Sequence, residues 1–258
     1  MLTAGVDAGA ENTKVVILMD DRILSHSIIP QGMEGVLPVV QRAMQEALTL
    51  AGIKLDKIEN IVGTGIGSEY IPFARSQATE SSCCARGGSW LCPSMNTLID
   101  IGANKCLVVR CQNGKPLNTV RNDRCASGTG RFLKVAAKPL GVDVEEMGRL
   151  SLQSQGEVEI SSTCTVFAES EIISLIHLKH RPEDIAKAVF KGLAQRIYTM
   201  MLKVGFQKDL LMVGGIACNI GIVKAVAELA GCPVIVPENP ILTGALGAAL
   251  IAAERKAR

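Results

Sequence analysis

Leu98-Ile99-Asp100-Ile101-Gly102-Ala103 repeats Gly5-Val6-Asp7-Ala8-Gly9-Ala10 at a shift of 93 residues, with Asp100 in the place of Asp7. Each copy is an apolar run that delivers Asp-x-Gly-Ala into a turn, and each is followed by a second apolar run. One Asp-x-Gly alone reads as an ordinary strand end. A repeated one reads as an internal duplication of strand–turn–strand phosphate loops.

The rest of the chain alternates strand-like and helix-like segments, the pattern of an α/β protein. Strands are predicted over 2–7, 14–19, 22–29, 58–64, 210–213 and 234–236. Val36, Leu37, Val40, Met44, Ala47, Leu48 and Ala51 recur at helical spacing, with Gly52 as the stop. Further helices are expected over 129–140, 165–178, 182–204, 219–230 and 241–256, and Asn113-Gly114 is a two-residue hairpin turn. The duplication implies two related sub-domains, 1–95 and 96–258, facing each other across a cleft. The C-terminal helix is expected to pack back on the first.

Composition narrows the class. The 258 residues are 48% hydrophobic, 20% charged and only 3% aromatic, with a net charge of +2. Apolar content made of Val, Ile, Leu and Ala suits buried strands covered by helices. Basic residues are scattered and stacking aromatics scarce, so nucleic acid is not an expected partner. No apolar run is long enough to span a membrane, and none is expected as a partner. Met1 leads straight into a strand without a signal-like leader. Nine cysteines in such a chain suit a reducing cytoplasm, where thiols serve metals or catalysis more often than disulfides.

Phosphate needs backbone N–H donors that approach closely, so a glycine turn is its natural cradle. A strand-end carboxylate beside that turn can hold magnesium, usually through water. Asp7 with Gly9, Ala10 and Asn12, and Asp100 with Gly102, Ala103 and Asn104, offer this combination twice. Lys14 is placed to reach a phosphate as a point charge. A third turn, Val213-Gly214-Gly215-Ile216-Ala217-Cys218-Asn219, follows an apolar strand and can let an adenosine lie against the backbone. Tight strand–helix packing would explain that turn equally well. Walker-type and dinucleotide-binding glycine motifs are absent from the sequence.

Two phosphate loops and a Gly-Gly turn together resemble the actin-like superfold of actin, Hsp70 and the sugar kinases, with two duplicated RNase H-like sub-domains around a nucleotide cleft. More narrowly, the chain resembles the activator ATPases of 2-hydroxyacyl-CoA dehydratases and the related subunits of benzoyl-CoA reductases, the BadF/BadG/BcrA/BcrD type. The similarity is strongest in Asn122-Asp123-Arg124-Cys125-Ala126-Ser127-Gly128-Thr129-Gly130-Arg131-Phe132 and in Ser161-Ser162-Thr163-Cys164-Thr165-Val166-Phe167-Ala168-Glu169-Ser170-Glu171. Thr79–Gly87 and Gly244–Leu250 also fit.

By spacing alone the cysteines do not announce an iron–sulfur protein, because no Cys-x-x-Cys is present. Cys106, Cys111 and Cys232 read as small buried hydrophobes, and Cys84 as packing. Cys125 and Cys164 differ, each lying in a small-residue loop before an expected helix start, where an anionic thiolate is favoured. The resemblance implies that this pair binds half of one 4Fe–4S cluster shared by a homodimer, the two-fold axis completing four thiolates. It implies ATP/ADP and Mg2+ at the loops, with Asp7 and Asp100 as the catalytic carboxylates and Gly128, Thr129, Gly130, Gly214, Gly215 and Asn219 among the nucleotide contacts. It further implies a low-potential donor such as ferredoxin or flavodoxin and an iron–sulfur acceptor, a 2-hydroxyacyl-CoA dehydratase or related reductase. Pushing one electron uphill by a few hundred millivolts needs roughly 5–10 kcal/mol, which nucleotide binding and hydrolysis can supply.

The second loop departs from the family's usual Gly-Gln-Asp, showing Ala103-Asn104-Lys105 after Gly102. No residue is therefore assigned to position the attacking water. Lys105 either reaches a phosphate or faces solvent. The competing readings are a subunit of a benzoyl-CoA reductase and, in another class, a cluster-free sugar or acyl-phosphate kinase.

Overall fold

The computed structural model describes residues 1–122, 129–160 and 165–255. These form two compact units. One comprises 1–94, 111–117 and the C-terminal segment from 241; the other comprises 95–110 and 118–240.

The first unit is built on strands β1 (Leu2–Ala8), β2 (Asn12–Met19), β3 (Arg22–Pro30), β4 (Asn60–Thr64) and β5 (Ser76–Gln77), in the order β3-β2-β1-β4-β5. β1 pairs antiparallel with β2 and parallel with β4. Val15-Val16-Ile17-Leu18 is apolar without a break because β2 is covered on both faces. Val15 and Ile17 join the core of helix α1 (Val36–Ala51), while Val16 and Leu18 join that of helix α8 (Thr243–Glu254). Ser25 and Ser27 on β3 are buried, and their hydroxyls donate to the Ala47 and Ala43 carbonyls of α1, both at 2.7 Å. α1 ends at Gly52 in the left-handed region, as its glycine stop predicts.

Helix α8 is apolar on all sides because neighbours surround it. A Cβ on Gly5 of β1 would collide with its backbone at Ala245 and Ala249. A Cβ on its own Gly247 would collide with the backbone of Cys83 on helix α2 (Glu80–Leu91). Small residues thus let a strand and two helices approach to backbone contact.

A second sheet, most of whose residues belong to the second unit, repeats the pattern with β6 (Thr97–Ile101), β7 (Cys106–Gln112), β8 (Lys115–Asn122), β9 (Leu210–Val213) and β10 (Val234–Ile235), ordered β10-β9-β6-β7-β8. The helices of that unit are α3 (Gly130–Leu140), α4 (Val144–Ser151), α5 (Thr165–His177), α6 (Pro182–Val204) and α7 (Ile220–Ala230). They bury a larger core that includes Ile99, Val108, Leu133, Met147, Phe190 and Ile197. Asn113 and Gly114 both have positive φ, 51° and 70°, as the hairpin turn requires.

Two helices have weak sequence signals and emerge only in the structure. α2 carries Gly87-Gly88 and little amphipathic pattern; its mark is the Thr79 cap, whose hydroxyl accepts from the Ser82 N–H. α4 is short, and the Asp143 carboxylate caps it by accepting from the Glu146 N–H at 2.7 Å. Among the described residues, no helix is long and apolar enough to cross a membrane.

Candidate functional site

Each duplicated hairpin presents one aspartate at the end of its first strand. In the first, the Gly9 N–H closes the turn by donating to the Asn12 carbonyl at 3.1 Å. Asp7 faces Lys14 across the β1–β2 pair, and the Lys14 ammonium lies 3.0 Å from Asp7 Oδ2. Both side chains are 12% exposed, so the pair is poorly screened and removal of the amine strands a desolvated carboxylate. Ala10 sits exposed at the tip.

In the second, the Gly102 N–H donates to the Lys105 carbonyl at 2.9 Å, the same turn 93 residues on. Asp100 is 7% exposed, and its cross-strand partner is Leu107 rather than a lysine. The ammonium comes instead from Lys105, 3.5 Å from Asp100 Oδ2. Asn104 is exposed. The backbone carbonyls of Gly102 and Ala103 accept from the N–H groups of Gly130 and Arg131, at 3.0 and 2.9 Å. The second loop is thereby tied to the first turn of α3. Thr129, the residue before that helix, is fully buried. Gly128, Cys125 and Cys164 lie outside the described residues.

Two glycine turns complete the symmetry. Gly214 follows β9 with φ +89°, and a Cβ there would strike Asp100 and the Ile101 carbonyl. Gly65 follows β4 with φ +88°, and a Cβ there would strike Asp7 and the Ala8 carbonyl. Each glycine closes against the aspartate of its own sheet, through the parallel pairs Thr64↔Asp7 and Val213↔Asp100. The role of Gly65 escapes a search for repeats, since it lies 149 residues before Gly214 whereas the aspartates are 93 apart. Its signal is positional: the first glycine after the strand beside an Asp strand. Gly244, in the first turn of α8, also lies against the Asp7 carboxylate, where a Cβ would meet Oδ2 at 3.2 Å.

Gly215 is exposed and opens a short turn into α7. Asn219 is buried and already engaged: Oδ1 caps α7 by accepting from Gly221 N–H at 2.9 Å, and Nδ2 donates to the Val144 carbonyl at 2.6 Å. Asp184 on α6 has no sequence motif. Its Oδ1 accepts from Gly156 N–H, Ser154 hydroxyl and Gln155 N–H at 2.9, 2.8 and 3.1 Å, pinning the loop that leads toward Cys164. These bonds, the Gly156 amide foremost, hold the carboxyl below its ordinary range.

The described cysteines separate by burial. Burial pushes the Cys83 and Cys111 thiols up to about 12 and raises that of Cys106 as well, so all three stay protonated and inert near neutral pH. Cys84 is buried too, whereas Cys232 is only partly covered and Cys92 is buried at the end of α2. Among the described residues, no group of three or more His, Cys, Asp or Glu side chains is arranged to hold a metal ion.

The fold and loops have known counterparts. The (R)-2-hydroxyglutaryl-CoA dehydratase activating ATPase of Acidaminococcus fermentans is 38% identical over 260 residues, covering 99% of this chain and 98% of that one. The crystal structure of the Acidaminococcus fermentans (R)-2-hydroxyglutaryl-CoA dehydratase component A matches with a TM-score of 0.96 and 36% identity, covering both chains fully. The activator of the 2-hydroxyisocaproyl-CoA dehydratase from Clostridium difficile, solved with bound ADPNP, matches with a TM-score of 0.91 and 42% identity, covering 98% of this chain and 95% of that one. A glucokinase from Streptomyces griseus, 13% identical with a TM-score of 0.62, shares the fold alone, which places the chain among the actin-like ATPase and sugar-kinase folds. The profile of the BadF/BadG/BcrA/BcrD ATPase family covers residues 4–252, and the chain belongs to that family of ATPases.

Proposed function

We propose that this chain is an ATP-dependent one-electron transfer protein. It works as a homodimer that binds ATP with Mg2+, shares one 4Fe–4S cluster between its subunits, and activates a dehydratase or related reductase. A low-potential donor such as ferredoxin or flavodoxin would supply the electron. The observation that carries this reading is the end-to-end similarity to dehydratase activators, one of them holding ADPNP.

The two loops suit nucleotide chemistry. Asp7 and Asp100 would hold magnesium, which takes hard oxygen ligands such as these strand-end carboxylates. Lys14 is a point charge for phosphate, and the glycine turns bring backbone N–H groups close. The bonds from Gly130 and Arg131 to the second loop pass a shift of that loop on to α3, which opens five residues after Cys125.

Donor chemistry favours Cys125 and Cys164 for the cluster. Thiolates are its usual ligands, and three other cysteines are locked as buried thiols. The Cys125 segment runs into α3 and the Cys164 segment into α5, and these helices pack against each other. When bound, the cluster supplies a one-electron couple. Two thiolates per chain complete four ligands only in a symmetric pair.

The test is iron and acid-labile sulfide on protein purified without oxygen, wild type beside Cys164→Ala. About four irons per dimer, lost in the variant while ATP hydrolysis persists, is the expected result. Iron-free wild type that still hydrolyses ATP would overturn the redox reading in favour of a kinase.

A further inference from the structure

The two hairpins share a shape but not a sequence position for their lysine. At the shift of 93 residues, Lys14 corresponds to Leu107, which is 2% exposed, and Lys105 corresponds to Asn12. The first ammonium comes from the strand, the residue paired with Asp7. The second comes from the turn, the residue whose carbonyl closes it. Both reach the aspartate of their own hairpin, at 3.0 and 3.5 Å.

Both also lie over the turn glycine. A Cβ on Gly9 would meet the Lys14 ammonium at 2.8 Å, and a Cβ on Gly102 would meet Lys105 Cγ at 3.3 Å. The same chemical group is thus built twice, over a glycine and beside a carboxylate, from two different places in the hairpin. A lysine that merely faced solvent would not be laid down across the turn. Its side chain is 22% exposed, against 12% for Lys14, so its head is within reach of a ligand arriving from solvent.

We propose that Lys105 is a second phosphate-binding cation of this protein, contacting the phosphates of a nucleoside triphosphate through its ammonium. This rests on the reading that the chain binds ATP. The lysine then does for the second loop what Lys14 does for the first. A bare Asp100 would repel a phosphate group, and the ammonium beside it offsets that repulsion at short range.

The experiment is calorimetric binding of ADPNP to wild type, Lys105→Gln and Lys105→Arg, at low and high salt, with adenosine as the control. Lys105→Gln is expected to weaken ADPNP about tenfold, the effect of losing one charge-assisted contact. It should also flatten the salt dependence and leave adenosine binding unchanged. Lys105→Arg keeps the charge and should stay within about threefold of wild type. Unfolding curves of the variants identify any that fails to fold, in which case the uncharged Lys105→Met, read by the same affinity and salt comparison, decides. Lys105→Gln that binds ADPNP within about twofold of wild type, with the same salt dependence, overturns the role of Lys105 and leaves the nucleotide reading standing. Wild type that binds no ADPNP overturns both.

Discussion

Among the described residues, the first unit spends a single α-helix, α1, between its third and fourth strands, whereas the second spends four, α3 to α6. The sheets are otherwise twins, with the same strand order, the same antiparallel hairpin and the same glycine after the fourth strand. The shared part holds the aspartates and lysines, and the long connection holds Cys125 and Cys164. Sheet register tolerates little change, because a one-residue slip turns every side chain to the other face. A connection leaving an edge strand can lengthen without disturbing it. What is common to the two units is therefore pinned by strand pairing, and what distinguishes them is added where pairing stops.

The largest break in this comparison is a core substitution. Phe190→Ala, in the second unit's enlarged core, should cost about 3–5 kcal/mol. Gly247→Ala, which crowds α8 against α2 in the first unit, should cost about 1–3 kcal/mol. Thermal unfolding should rank them in that order, and the reverse order would mean that the small-residue packing of the first unit is the tighter constraint.

Next come the paired glycines. Gly65→Ala and Gly214→Ala each force an alanine into the left-handed region and drive a methyl into the local aspartate. Each should cost about 2–4 kcal/mol, read as a fall in Tm of several degrees. A variant that unfolds within about 2 °C of wild type would break the equivalence of the two turns.

Asp7→Asn and Asp100→Asn should each slow ATP turnover about 100-fold, with unfolding temperature changed less than in the glycine variants. A large loss from one and none from the other would show that the two loops share geometry but divide the chemistry unequally.

The smallest effect concerns the loop ahead of Cys164. Because Asp184 has its carboxyl held below the ordinary value of about 3.9, its contribution is full above that range. As acid is added, the unfolded chain takes up the proton first, and the contribution is lost as pH falls through the folded-state value. Asp184→Asn should therefore unfold more easily than wild type near neutral pH, and the gap should close below about pH 4. A gap independent of pH would assign the role of Asp184 to packing.

Legibility followed physical locality. The Asp-x-Gly strands, the Gly52 stop and the long amphipathic helices are written in neighbouring residues, and the actin-like α/β class could be expected from them. α2 and α4 were hidden because each is held by a cap and its neighbours rather than by a strong apolar period. Asn219 reads as a nucleotide contact in sequence, and its amide bonds to α7 and to the Val144 carbonyl come only from the fold. Lys105 is open between phosphate and solvent in the sequence, and only the fold lays its stem over Gly102 and brings its amine beside Asp100.

By itself the sequence determined the duplication and the strand-end carboxylates, which are written in residue types at a fixed shift, and the family, which is written in long strings of matching residues. Only the tertiary structure decided which glycines close on which aspartates, which helix is tied to the second loop, and which strand position supplies each ammonium. Those choices join residues from 5 to 114 positions apart, and a contact of that kind is set by strand pairing and packing, which no local pattern records.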